Sequence, residues 1–186
     1  MVFSSMVFLW IFLPAVLAGY FLCPRPAKNL LLVFFSLLFY AWGEPKYITL
    51  MILSVTVNYV SGRLIGALPD RKKLVLFLCV AVNLLLLGYF KYFNFIIQSA
   101  NSVLGWLRDA GPIAARSIAL PIGISFYTFQ ALSYVIDVYR GEVKVQKNYI
   151  HMLLYVSFFP QLIAGPIVKY HDIDRQIESR TVTADK

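Results

Sequence analysis

From Met1 to Pro24 the chain carries no charged side chain, and six further uncharged runs follow: Asn29–Gly43, Tyr47–Gly62, Leu74–Phe90, Tyr92–Leu107, Ser117–Ile136 and Asn148–Val168. Hydrocarbon offers backbone N–H and C=O groups no partner, so a segment that crosses it closes its own hydrogen bonds as a helix. A span takes about 20 residues. The chain is 60% hydrophobic and 14% charged, whereas soluble domains run at roughly 45–50% and about 25%. A soluble enzyme domain, a disordered chain and a collagen-like repeat are thereby excluded. The expected fold class is all-α: a polytopic transmembrane helical protein with about five or six membrane segments plus an interfacial helix. Residues 1–168 form the membrane domain and residues 169–186 a polar tail, where a Thr or Asp is placed to cap a further helix.

The first run has a rival reading as a secretory signal, with Val16-Leu17-Ala18 before Gly19 as the cleavage site. It lacks the basic segment that such a signal needs. A first transmembrane helix is preferred, with Pro14 as a kink point. Glu44-Pro45-Lys46 predicts a tight interfacial turn, with Tyr40, Trp42 and Tyr47 as an aromatic belt at headgroup depth. Tyr89-Phe90-Lys91-Tyr92 marks another boundary. Beyond it Asn94, Gln98, Asn101 and Ser102 fall on one side of a helix. That suits an amphipathic helix lying in the interface, or a span with its polar side turned inward. Arg108–Pro112 closes it as a loop.

Seventeen Lys and Arg stand against nine Asp and Glu, a net charge of +8. They sit between apolar runs rather than on one face, so they set topology and meet lipid headgroups; nucleic acid is not an expected partner. With Tyr92–Leu107 held at the interface, the loops after spans one, three and five carry nine basic residues and those after spans two and four carry four. The positive-inside rule then places the N-terminus outside. The side taken by the tail depends on whether Asn148–Val168 crosses or re-enters. Cys23 and Cys79 match no metal spacing and are expected as lipid-level or packed thiols, with palmitoylation of Cys23 as an alternative. His151 and His171 belong to no recognisable zinc or nucleophile arrangement. No metal site is expected.

Ionisable groups at membrane depth are functional candidates. Gln130, Ser133, Asp137 and Arg140 recur at i, i+3, i+7 and i+10, which keeps them within an arc of about 80° on a helix. This stripe must face protein or a water-filled cavity, either as a hydrogen-bonding strip between helices or as the wall of a passage. Asp137 and Arg140 are spaced to pair. Further on, Pro160-Gln161 and Gly165-Pro166 interrupt the last run. Such backbone is tolerated at membrane depth when it is buried in protein or lines a cavity; a kinked helix is the plainer alternative.

Read together, Leu120–Gly141 (LPIGISFYTFQALSYVIDVYRG) and Phe158–Tyr170 (FFPQLIAGPIVKY) resemble membrane-bound O-acyltransferases. Ser36–Pro45 (SLLFYAWGEP) is similar to the bacterial branch concerned with alginate O-acetylation. The resemblance runs through essentially the whole chain and corresponds to the N-terminal portion of such an enzyme. It implies a multi-pass protein of the bacterial inner membrane. Acetyl-CoA or a similar acyl donor is its substrate, with no resident cofactor, and periplasmic acetyltransferases of a polysaccharide O-acetylation system are its partners. On that resemblance Gln130, Ser133, Asp137, Arg140, Pro160, Gln161, Gly165 and Pro166 are candidates for the surroundings of an acyl tunnel. The family's essential histidine lies in a Trp-His motif. Here Trp10, Trp42 and Trp106 are each followed by another residue, so these residues alone are expected to be inactive. A non-catalytic membrane scaffold or accessory subunit is the alternative, and a small transporter a more distant one.

Overall fold

The computed structural model describes residues 5–106, 118–164 and 168–173. Among the described residues the regular structure is entirely helical, with no strand. The chain opens with a π-helical turn, Phe8–Phe12, that runs into α1 (Leu13–Leu22). Pro14 has no N–H, and its ring crowds the carbonyl four residues back. The helix widens here, with Leu13 N donating five residues back to the Phe8 carbonyl. The kink point expected at Pro14 is thus a widened turn.

After the Arg25–Ala27 turn, α2 (Lys28–Gly43) packs back along α1. Phe8, Phe12, Phe39 and Phe159 form an aromatic knot, with ring centroids 5.4–6.1 Å apart. The Glu44–Tyr47 turn forms as expected, Tyr47 N donating to Glu44 O at 3.1 Å. The aromatic belt beside it needs a correction. Trp42 is exposed, but Tyr40 is buried in the core and its hydroxyl donates to Ile122 O at 3.1 Å. A tyrosine near a span's end serves protein as readily as lipid when an unpaired carbonyl lies in reach.

The central helix is α3 (Ile48–Ala67), flanked by α4 (Lys72–Trp106) and α5 (Ile124–Arg140). Helices approach closely in lipid where side chains are small. A Cβ on Gly62 would lie 2.7 Å from the Tyr134 ring, and one on Gly66 2.6 Å from Val145. A reciprocal amide pair holds α3 to α4: Asn58 donates to Asn83 Oδ1 at 3.0 Å, and Asn83 donates to Asn58 Oδ1 at 3.2 Å. Cys79, a packed thiol as expected, joins it by donating to Asn58 Oδ1 at 3.3 Å.

The break expected near Lys91 is absent. The α4 helix is continuous over 35 residues, about 52 Å at 1.5 Å per residue, and the segment read as a separate interfacial helix is its C-terminal part. No proline interrupts it, and Lys91 lies outside over the Tyr92 ring. Of its polar residues, Asn94 turns inward, while Gln98 and Ser102 stay exposed. Three helical stretches are long and apolar enough to cross a membrane, Arg25–Gly43, Ile48–Ala67 and Pro69–Val103, with Phe8–Leu22 a shorter apolar one. Their outward faces carry Trp10, Phe21, Phe77 and Leu85. That surface suits lipid as solvent and makes this a membrane protein.

The last run is not one helix. It comprises α6 (Tyr149–Ser157) and α7 (Phe159–Ala164), with a break at Phe158 (ψ 110°). Asn148 caps α6 by accepting from Ile150 N at 2.9 Å. Leu162 packs beside Gly123, at the N-terminal end of α5, whereas Tyr170 lies against Tyr134 and Gln146, near its C-terminal end. Residues entering and leaving the run therefore sit at the same end.

Candidate functional site

The α5 helix is held at both ends by the residues its sequence supplies. Before it, Asn94 grips Ile118 twice, accepting from its N–H at 2.9 Å and donating to its carbonyl at 2.6 Å. Tyr47 donates to Ala119 O at 2.9 Å. Gly123 opens the helix at φ 77°, a left-handed conformation that glycine adopts without strain. At the other end Gly141 (φ 78°) closes a Schellman motif, in which Glu142 N bonds Asp137 O and Gly141 N bonds Val138 O.

The predicted polar stripe faces protein along most of its length. Where α6 stops at Ser157, the helix ladder no longer covers the Tyr155 carbonyl. Gln130 Nε2 donates to it at 2.8 Å. The freed N–H of Phe159 finds Ser36 Oγ at 3.3 Å, and Pro160 has no N–H to satisfy. One side chain from α5 and one from α2 thus mend the broken backbone. Ser133 Oγ donates to Gln130 O at 2.8 Å and lies 3.3 Å from the Tyr155 hydroxyl. That hydroxyl donates to Val168 O at 2.8 Å. Asp137 is buried, and its Oδ2 has no hydrogen-bond partner among the described residues.

The expected Asp137–Arg140 pair is not formed. Arg140 ends the helix with its side chain 62% exposed, and its guanidinium lies 3.8 Å from Glu142, which the left-handed Gly141 brings back alongside. Gln130 and Asp137 are buried, Ser133 is half-buried and Arg140 emerges, so the two charges lie in different surroundings. Pro160 is exposed and Gln161 half-buried on α7. Gly165 and Pro166 lie outside the described residues. His171 is exposed, 3.3 Å from Asp172. Among the described residues no three His, Cys, Asp or Glu side chains cluster as metal ligands.

Several residues escape a reading by polarity alone. Tyr134 and Tyr155 each meet the Tyr170 ring edge to face, with centroids 4.9 Å apart for Tyr134–Tyr170 and 5.1 Å for Tyr155–Tyr170. Gln146 links them, its N–H donating to the Tyr134 hydroxyl at 3.0 Å and its Nε2 to the Tyr170 hydroxyl at 2.6 Å. The usable signal is position: Tyr134 falls on the Gln130–Asp137 face, one turn from each. We call the line of Gln130, Ser133, Asp137 and Tyr155 the seam.

No protein-family model matches the chain, nor does any solved structure. Curated sequences do. A probable alginate O-acetylase, AlgI, of Pseudomonas aeruginosa is 44% identical over 189 residues, covering 100% of this chain and 36% of its own length. That of Azotobacter vinelandii is 43% identical over 189 residues, covering 100% and 38%. A peptidoglycan O-acetyltransferase of Helicobacter pylori is 32% identical over 211 residues, covering 97% and 39%. The chain spans a little over a third of the length of these relatives. Along all of its 186 residues the chain is thus similar to alginate O-acetylases, proteins of the membrane-bound O-acyltransferase family, and its all-helical apolar fold is that of a membrane protein.

Proposed function

We propose that these helices form membrane-embedded walls of an O-acetyltransferase that moves acetyl groups across the bacterial inner membrane for O-acetylation of an exported, alginate-like polysaccharide. The observation that carries this reading is the end-to-end similarity to alginate O-acetylases. The buried seam supports it, because hydrogen-bonding side chains beside a broken helix suit the wall of a passage for a polar acyl carbonyl. Arg140, exposed at the end rich in lysine and arginine, suits the phosphates of a donor such as acetyl-CoA.

In the transfer itself, an acceptor oxygen attacks the thioester carbonyl carbon. The C–O bond forms, the C–S bond breaks, the thiolate leaves and the hydroxyl proton passes to a base. In this reading the base is the histidine of the family's Trp-His motif, which these 186 residues do not contain. Their part is to position the acyl group and exclude water from it. Periplasmic acetyltransferases then place the acetyl on sugar hydroxyls. The basic-residue count favours an N-terminus outside. Re-entry of the last run adds Lys169 to the basic end, which strengthens that count.

The test is ester-linked acetate on the exported polymer in a strain lacking the gene. Acetate lost on deletion and regained on complementation is the expected result. Unchanged acetylation overturns the reading and leaves the scaffold, which would instead be recovered with a stoichiometric membrane partner.

A further inference from the structure

Two stretches far apart in the chain meet at one end of the molecule, and both are basic. Arg63, Arg71, Lys72 and Lys73 belong to the corner where α3 gives way to α4, and Lys144 and Lys147 to the loop that follows α5; all are exposed. Contacts across the fold hold the stretches side by side. Gly66 lets the loop approach so closely that a Cβ there would lie 2.6 Å from Val145. The Tyr59 hydroxyl donates to Lys147 O at 2.7 Å, and Lys72 Nζ lies 5.2 Å from the centroid of the Tyr139 ring. Little in these stretches offsets the charge. Residues 63–73 and 144–147 contain a single acid, Asp70, and Glu142, between them and α5, faces Arg140. The same corner is also apolar: Leu64, Leu68, Leu74 and Phe77 are 41–69% exposed.

We propose that this corner is a binding site for an anionic phospholipid, with its phosphate among the cations and its acyl chains along the exposed leucines and Phe77. Gathered like charges repel one another, and a bound anion turns that repulsion into attraction. Basic pockets between membrane helices take anionic headgroups for this reason. Lysine and arginine suit the task, because their stems lie along apolar surface while their charged ends reach headgroup depth. The apolar flank separates a lipid from a soluble phosphate compound. Both meet the same charges, but only the lipid covers the leucines and gains from removing them from water or from looser packing. The turn at the opposite end of α3 has no comparable cluster, since Lys46 there stands close to Glu44. A headgroup at the basic corner reaches across from the α3–α4 turn to the loop after α5. It therefore ties together two stretches that the fold already holds in contact, and its binding stabilises the folded arrangement.

This site stands apart from the acyl-passage reading, and its failure leaves that reading untouched. In the test, the full-length protein in a neutral detergent is titrated with phosphatidylglycerol, with phosphatidylcholine and, separately, with coenzyme A, and the thermal unfolding midpoint is read. Phosphatidylglycerol is expected to raise the midpoint at concentrations where phosphatidylcholine does not. Arg71→Gln, Lys73→Gln and Lys144→Gln should each raise the half-saturating concentration of phosphatidylglycerol about fivefold, the factor that corresponds to about 1 kcal/mol per basic residue at an anionic surface. Lys73→Arg, which keeps the charge, and Lys46→Gln, at the other end of α3, should leave it unchanged. Lys72 is spared because its ammonium lies over the Tyr139 ring. A variant with a lowered midpoint before lipid is added is compared by its half-saturating concentration, which does not depend on that starting value. Equal responses to the two lipids overturn the site, as does an unaltered phosphatidylglycerol response in all three glutamine variants. A midpoint raised by coenzyme A with the same residue dependence, and not by phosphatidylglycerol, overturns the lipid in favour of a soluble phosphate compound.

Discussion

Gln130 Nε2 lies 2.8 Å from the carbonyl oxygen of Tyr155, where it replaces the helical partner lost when α6 breaks. Gln130→Leu removes this donor and leaves a buried carbonyl unpaired, which costs about 1–3 kcal/mol. A lower midpoint in thermal unfolding of the detergent-purified protein is expected, with Gln130→Glu also destabilised because it buries an acceptor against an acceptor. A midpoint unchanged by Gln130→Leu would mean that water or another donor serves Tyr155.

Gly62 and Gly88 give opposite expectations for one substitution. Gly62→Ala places a methyl 2.7 Å from the Tyr134 ring, which is fully buried and cannot swing away. Overpacking of that kind costs about 1–3 kcal/mol. A Cβ on Gly88 meets nothing within 4 Å, and Ala in place of Gly in a helix interior gains up to about 1 kcal/mol. Thermal stability of the two variants side by side checks this, and a stable Gly62→Ala would show that α3 and α5 part easily.

Asn58 and Asn83 should behave as a unit. Replacing either with Leu strands the other's amide in the α3–α4 contact, and interhelical bonds of this type are worth about 0.6–2 kcal/mol. The double Leu variant removes both polar groups and should be less destabilised than the sum of the single changes. A double-mutant cycle measured by unfolding in detergent reads the coupling; strict additivity would refute it.

The meeting of Gln146 and Tyr170 at one end of α5 fixes a labelling pattern. Lys147→Cys and Lys169→Cys should react with an impermeant reagent from the same face, and Lys46→Cys from the opposite one. All three positions are exposed. Reaction of Lys147→Cys and Lys169→Cys from opposite faces would show a full crossing.

Much of this was legible in the residues. Uncharged runs announced the helices, and the spacing of Gln130, Ser133 and Asp137 announced a face turned to protein, because helical periodicity is set by local geometry. Proline 160 announced the break. What escaped depended on contacts distant along the chain. Ser36 waits on α2 for an N–H that α6 releases. Tyr40 looks like a headgroup tyrosine until Ile122 supplies a carbonyl. Arg140 is well spaced for Asp137, yet Gly141 offers it Glu142 instead. Lys91 suggested a boundary because a charge is costly in hydrocarbon, but a long side chain can snorkel and leave the helix unbroken.

The unbroken α4 has a geometric corollary. An apolar layer about 30 Å thick could contain a rod of about 52 Å only at a lean near 55°, steeper than the 0–40° spanned by membrane helices. Part of it therefore stands clear of the bilayer, and the hydrophilic Gln98, Asn101 and Ser102 mark that part as the end remote from Lys72. A soluble molecule arriving from that side meets a mast before it meets the deck.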